Sequence, residues 1–204
     1  MKRGASVEKK PMLIKIISCS VPGEQRRAFE EAQERWRELQ TVPGFGGQIG
    51  GWSMSLKTHA CILAFWKSQL LYQQFMAHDH DRILEISGQS GTYQSLTIQF
   101  FEQKFDIPGR HDYILAALTA GTWLQITKLT LTDLAATQFS DWRRDPDFLA
   151  GVAGCCPTAT EDWLVAALWT QPEPPDVSWN HLLPFETTTI ALSPSWLVIP
   201  KDEG

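Results

Sequence analysis

The chain is poor in most of the features that announce a familiar chemistry. Four cysteines, Cys19, Cys61, Cys155 and Cys156, stand in 204 residues. The adjacent pair Cys155-Cys156 has no second pair at zinc spacing, and neighbouring cysteines rarely bridge, so a structural zinc site and a disulfide framework are both disfavoured. Cys19 and Cys61 sit in apolar runs, where a free thiol acts as a small hydrophobe. That usage fits a reducing compartment, and the expected location is cytoplasmic. No apolar run approaches the roughly 18 residues of a membrane span. The stretch from Met12 to Val21 is interrupted by Lys15, Ser18 and Ser20 and reads as a strand, not as a signal peptide. A membrane is therefore not an expected partner.

Positive charge is also scarce. Eighteen Lys and Arg face 23 Asp and Glu, a formal net charge of -5. The only basic cluster, Lys2, Arg3, Lys9 and Lys10, lies in a polar N-terminal tail, so nucleic acid is excluded as a general partner. Phosphate-loop and hydrolase signatures are missing too. No Gly-Lys-Ser/Thr triplet occurs, and Gly88-Gln-Ser90-Gly91 is one residue short of a nucleophile elbow and reads as a turn.

What the chain does have is aromatic mass: nine Trp and ten Phe, in a composition that is 43% hydrophobic and 20% charged. These rings must fill a core or line an apolar cavity. It also has a glycine-rich stretch, Gly44 to Trp52, "GFGGQIGGW". Counted from Gly44, the last position of a Gly-x-Gly-x-x-Gly loop falls on Ile49, and the next apolar segment, His59 to Trp66, has strand length. The glycines thus belong to a strand, where they mark a bulge or a close approach by another backbone or a ligand.

The second half of the chain repeats the first. Phe148 to Gly154 echoes Phe45 to Gly51, and "WLVAALW" (163–169) echoes "ACILAFW" (60–66). Phe45 to Trp66 and Phe148 to Trp169 both span 21 positions. Upstream, Trp36 matches Trp142, and Leu13-Ile-Lys-Ile matches Trp123-Leu-Gln-Ile. Each unit reads as strand, helix, strand, strand, helix, strand. In the first unit, Pro22 opens a helix with the stripe Phe29, Ala32, Trp36, Leu39, and Val42-Pro43-Gly44 stops it. Ser68 caps a second helix with Leu71, Phe75 and Met76 inward, and Gln94 to Glu102 forms the last strand. In the second unit, prolines at 172, 174 and 175 exclude a regular second helix. The expected organisation is a disordered tail (1–11), a ferredoxin-like unit (12–105), a linker (106–121) and a degenerate ferredoxin-like unit (122–200). The fold class is α+β, with the tandem βαββαβ units closing one pseudo-symmetric barrel.

Pro43-Gly-Phe45, Trp66-Lys-Ser68, Phe75-Met76 and His80-Asp81-x-Ile83 resemble the antibiotic-biosynthesis-monooxygenase-like dimeric α/β barrels, and among them the YdbC-like proteins, a group without a settled function. The resemblance covers roughly residues 12–105. It implies two ferredoxin-like units packed sheet to sheet, here within one chain. It also implies a range of chemistry: cofactor-free oxygenation of aromatic polyketides, haem binding or degradation, or no reaction. The haem degraders of this fold use Asn on strand one and Trp and His on helix two. Ile16, Phe75 and Glu85 occupy those places here, which disfavours haem degradation.

The candidate catalytic pair is His80 with Asp81, an imidazole suited to proton transfer near neutrality beside an acid that can orient it. The competing reading makes Met76 to Asp81 a solvated stretch at a helix break. His78 and His80 lie two apart and share an ion only if the helix unwinds, so no metal site and no cofactor are assigned. Trp52, Trp66 and Trp169, with Tyr72 and His78, are the candidate ligand-binding residues if the tryptophans face the barrel interior. Core packing is the alternative. His111-Asp112 reads as solvated linker. Two functions stand: a monooxygenase-like enzyme for a flat apolar or aromatic molecule, or a non-catalytic ligand-binding or structural barrel. Monomer and homodimer are both open.

Overall fold

The computed structural model describes residues 11–172 and 185–201. Eight antiparallel strands close a barrel in the order β1-β3-β2-β8-β5-β7-β6-β4. They are β1 (Leu13–Ser20), β2 (Phe45–Ser53), β3 (His59–Trp66), β4 (Ser95–Pro108), β5 (Trp123–Thr130), β6 (Phe148–Cys156), β7 (Ala159–Trp169) and β8 (Phe185–Leu192). Each half contributes four strands, and the halves join along two seams. The beginning of β4 pairs with β1 and its end, Glu102–Pro108, with β6; on the other side β8 meets β2 at Gly51–Ser53. A closed barrel leaves no full-length sheet edge exposed, which suits strands as apolar as β3 and β7.

Alternation along the strands sorts the side chains. Ile14 and Ile16, Leu63 and Phe65, Leu124 and Ile126, Val152, Leu164, Ala166 and Leu168 point inward and form one core. The segment expected as a linker takes part in it. β4 runs on to Pro108, and the short helix α4 (Ile114–Ala117) with Leu118 joins the inner core, plugging one end of the barrel. The outward rows are apolar as well, because they lie under helices and turns. Phe29, Trp52 and Trp196 form one outer cluster, Trp66, Tyr72, Phe75 and Ile83 another, and Phe139, Trp142, Phe148 and Trp169 a third.

The first half is covered by α1 (Arg26–Glu34), α2 (Gln69–His78) and α3 (His80–Ser87). A 3-10 turn extends α1 from Arg35 to Thr41. The Ser68 hydroxyl accepts from the Leu71 N–H at 3.3 Å and caps α2. Ser68→Ala is expected to lower stability by about 1 kcal/mol, measurable as a lower urea midpoint. The buried face of α2 carries Tyr72 and Phe75, while Met76, expected inward, is 36% exposed. The helix turns its polarity by one position because its ring residues, not Met76, reach Trp66 on β3.

In the second half, the expected first helix is reduced to two 3-10 turns, Ala136–Phe139 and Trp142–Arg144. Ser140, Asp141 and Asp145 favour caps and turns over helix interiors, and Pro146 ends the segment. Trp142 nevertheless fills the place below it, against Phe148 and Trp169. The proline-rich stretch 173–184 lies outside the described residues.

The glycines of β2 serve both expected roles. The β2–β3 register shifts between Phe45 and Gly47, and Gly47 has φ of 145°, a bulge that other residues adopt with strain. At Gly51 the backbone of β8 comes so near that a Cβ would collide with the Ala191 carbonyl.

Candidate functional site

Between α1–α3 and the outer face of β1, β3 and β2 lies a cleft of about 200 Å³. Its floor is a row of three residues in register: Lys15 and Gln48 both sit opposite Ala64. The small Ala64 between two long polar side chains leaves a depression, walled by Trp66 and roofed by Trp36, Phe75, His80 and Gln89. Trp66 and Phe75 stack with centroids 4.9 Å apart.

Two groups of this floor are buried without the partners their chemistry requires. The Gln48 side-chain nitrogen is buried and makes no hydrogen bond among the described residues. Lys15 is 7% exposed, and burial pushes its ammonium down to about 8, with no carboxylate opposing the desolvation. Its ammonium lies over the Tyr72 ring, 5.0 Å from the centroid. Tyr72 is itself buried, which raises its hydroxyl above the ordinary range. By contrast, the glutamines above the floor are satisfied: Gln89 donates to Gln33 at 2.7 Å and accepts from the Trp36 indole at 2.6 Å. The cleft thus offers the unpartnered Gln48 amide and Trp66 indole N–H groups, and a Lys15 ammonium that meets only an aromatic ring, on an apolar, aromatic background. An uncompensated polar group inside a protein is costly, and a ligand carrying acceptor oxygens would offset that cost.

His80 begins α3, after a break at Asp79 where α2 ends. Its Nδ1–H donates to the exposed Asp81 carboxylate at 2.8 Å, and its ring lies against Trp36 and Phe75, leaving 19% of the side chain accessible. Nε2 is the nitrogen left to exchange a proton with a ligand. The helix break of the competing reading is present, but the histidine at it is lodged in the cleft and not fully solvated. His78 is exposed, with Nδ1 on the Gln74 carbonyl at 2.8 Å, and does not join it. Among the described residues there is no cluster of His, Cys, Asp and Glu able to hold a metal.

The three candidate tryptophans face outward from the barrel and do not meet. Trp66 walls the cleft. Trp52 packs on Phe29 and Trp196, donates to Glu30 at 2.9 Å and lies under the Arg26 guanidinium. Trp169 packs with Phe148 in the other half. For Trp66 and Trp169 the reason is the alternation of β3 and β7: their positions share parity with the outer rows, while the inner rows hold no tryptophan and are mostly aliphatic, with Phe65 and Phe101 the aromatic members. His111 and Asp112 lie outside the cleft. Lys15, Gln33, Gln48 and Gln89 are the residues that sequence reasoning missed. The available signal was a lysine and a glutamine within otherwise apolar strands, in register across a third.

A domain of unknown function (DUF4937) matches residues 13–101, the part that builds the cleft. The uncharacterised protein YdbC of Bacillus subtilis (strain 168) is 33% identical over 105 residues, covering 50% of this chain and 87% of YdbC. Among solved structures, a Lactobacillus acidophilus NCFM protein provisionally named a monooxygenase superposes with a TM-score of 0.65 at 9% identity, covering 93% of this chain and 97% of that one. An anthrone oxidase-like protein gives 0.61 at 11%, covering 93% and 94%. A haem-binding protein from Thermus thermophilus gives 0.52 at 11%, covering 89% and 91%. At these identities the likeness is one of fold: the dimeric α/β barrel, assembled from a single chain.

Proposed function

The chain belongs to the family of the uncharacterised protein YdbC, and on that footing we propose that its cleft binds a flat aromatic ketone or phenol and oxygenates it without a cofactor. The observation that carries this reading is the pair flanking Ala64 beneath an aromatic roof: Gln48, whose amide nitrogen is unpartnered, and Lys15, a buried ammonium without a carboxylate. A ring system lies over Ala64 between Trp66 and Trp36. Its carbonyl or phenolic oxygens accept from Gln48 and from the Lys15 ammonium, and an anion formed there stabilises the lysine charge that burial disfavours.

In this reading His80 Nε2 takes a proton from the carbon activated by the ring carbonyl, and Asp81 holds the imidazole by its other nitrogen. The enolate formed is electron-rich enough to react with dioxygen, which is the oxidant. For a ring methylene the balance is CH2 plus O2 giving C=O plus H2O. The fold shared with an anthrone oxidase-like protein supports the choice of substrate class.

The test is oxygen uptake with anthrone as the probe. Wild-type protein is expected to accelerate uptake and quinone formation, and His80→Ala to lower kcat by about 10²-fold or more while anthrone still binds. Saturable binding of anthrone without oxygen uptake would support the alternative, a ligand-binding barrel without catalysis. Unchanged turnover in His80→Ala would remove His80 from the mechanism.

A further inference from the structure

The barrel interior is closed by α4 at one end and hollow at the other. Inward side chains change character along its axis: Ile16, Ile126 and Ile190 form the floor of a chamber of about 330 Å³, and the layers beyond are polar. In the layer next to the floor, Ser18 faces Thr97 in the first half, and at the matching positions of the second half Lys128 faces Glu186. Nearer the rim stand Ser20, Ser53, His59 and Ser95. Lys128 and Glu186 also line an adjoining cavity of about 340 Å³ with Gln99 and Asp162.

The repeat makes this layer asymmetric. One half supplies hydroxyls and the other a cation beside a carboxylate, a difference that barrel closure does not require. Lys128 is half-buried, and its cross-strand neighbour Glu186 is not within ion-pair distance of it. Asp162 accepts from Thr130 at 3.1 Å. The Cys61 thiol at the wall is pushed up to about 12 by burial and stays neutral, so it contributes no anion. Lys128 therefore faces the chamber as a cation with its acceptor partner displaced, among hydroxyls that can donate or accept.

We propose that this chamber binds a small organic carboxylate that carries its own hydroxyl donors. Lys128 holds the carboxylate, Glu186 accepts from the ligand's donors, and Ser18, Thr97 and Thr188 complete the set. The chamber lies mainly on the inward face of β1 and β3 and the cleft on their outward face, with Cys19 bordering both.

The experiment is a methyl NMR titration of the whole chain with gluconate, with glucose and acetate as probes of the two halves of the recognition. Gluconate is expected to shift the Ile126 and Ile190 methyls saturably in the millimolar range while Ile62, in the cleft, stays in place. Lys128→Met should weaken it by about tenfold or more, the loss of one charge-assisted hydrogen bond. Glu186→Gln should weaken gluconate and leave acetate unchanged. Unmoved floor methyls, a shift equal in Lys128→Met, or movement of Ile62 alone would each overturn the proposal. Acetate binding as tightly as gluconate would overturn the role of Glu186. Spectra of the free variants that match wild type outside the chamber establish that they fold.

Discussion

Lys15→Met should make the protein more stable at pH 7, by about 3 kcal/mol, although it removes a charged residue from the candidate site. Lys15 lies on β1 beneath the helices, and desolvation lowers its ammonium from 10.5 to about 8. That difference, at about 1.4 kcal/mol per pH unit, is the free energy the folded state forgoes by keeping the group charged. Below about pH 8 the lysine is protonated in both the folded and unfolded chains, and the folded chain bears the full cost. Between about 8 and 10.5 the folded chain has released a proton that the unfolded chain retains, so stability rises with pH. Above that window both are neutral and the cost is gone. Met is unbranched and similar in length, so the packing survives the change.

Urea unfolding of both proteins at neutral pH and above pH 10.5 separates this contribution from all other titrations, which cancel in the difference. The gap between the proteins should be largest at neutral pH and close as the pH rises. A gap that does not change with pH would mean that Lys15 is solvated in the folded protein. The same lysine is expected to be required for ligand binding: a stabilising substitution that abolishes binding marks a residue kept at the expense of stability.

Gly51→Ala should destabilise the barrel by about 3 kcal/mol or more. The obstacle is backbone: the added methyl would collide with the Ala191 carbonyl, and neither strand can rotate it away. The position is also decisive for closure. β2 and β8 pair along a short ladder, Gly51 to Ser53, flanked by backbone bonds from Met54 to Thr189 and from Ser193 to Gly50 and by the bridge between Gln48 and Val198, so separating them opens one of the two seams between the halves. Gly23→Ala is the control. A Cβ there meets nothing within 4 Å, and its effect should stay within about 0.5 kcal/mol. Thermal or urea unfolding of the two variants checks the contrast, and equal effects would mean that β2 and β8 are not in register as described.

The fold was legible because repetition and alternation survive in the sequence. The echo of Phe45–Trp66 in Phe148–Trp169 placed two hairpins, and the structure pairs both, β2 with β3 and β6 with β7. Ser68 marked a helix start, and the polar stretch around Asp79 marked a helix break. The linker was less legible. Its apolar Ile114, Ala117 and Leu118 fit a surface segment as well as a plug, until the barrel they close exists. The first helix of the second unit was overestimated because Trp142 keeps its place while the chain around it forms only 3-10 turns.

The site was the least legible part. His80 could be named, since an imidazole next to a carboxylate at a helix break is a local feature. The partners of His80 in the cleft come from elsewhere: Lys15 from β1, Gln48 from β2, Trp36 from the turn after α1. A lysine in a strand reads as an interruption until a helix is laid over that face and removes its water. The tryptophans posed the opposite problem, prominent in the sequence and, apart from Trp66, committed to packing under the outer covers.

By itself the sequence determined the tandem α+β units, the strand character of the glycine stretch and the location of a candidate histidine, because periodicity, turn chemistry and repeats are properties of neighbouring residues. Only the tertiary structure decided which face of each strand looks into the barrel, that a Lys15 ammonium without a carboxylate and an unpartnered Gln48 amide are buried on either side of Ala64, and that Lys128 and Glu186 stand at the open end. Burial and unmet hydrogen bonding depend on what packs from distant parts of the chain, and strand register and sheet closure are what bring those parts together.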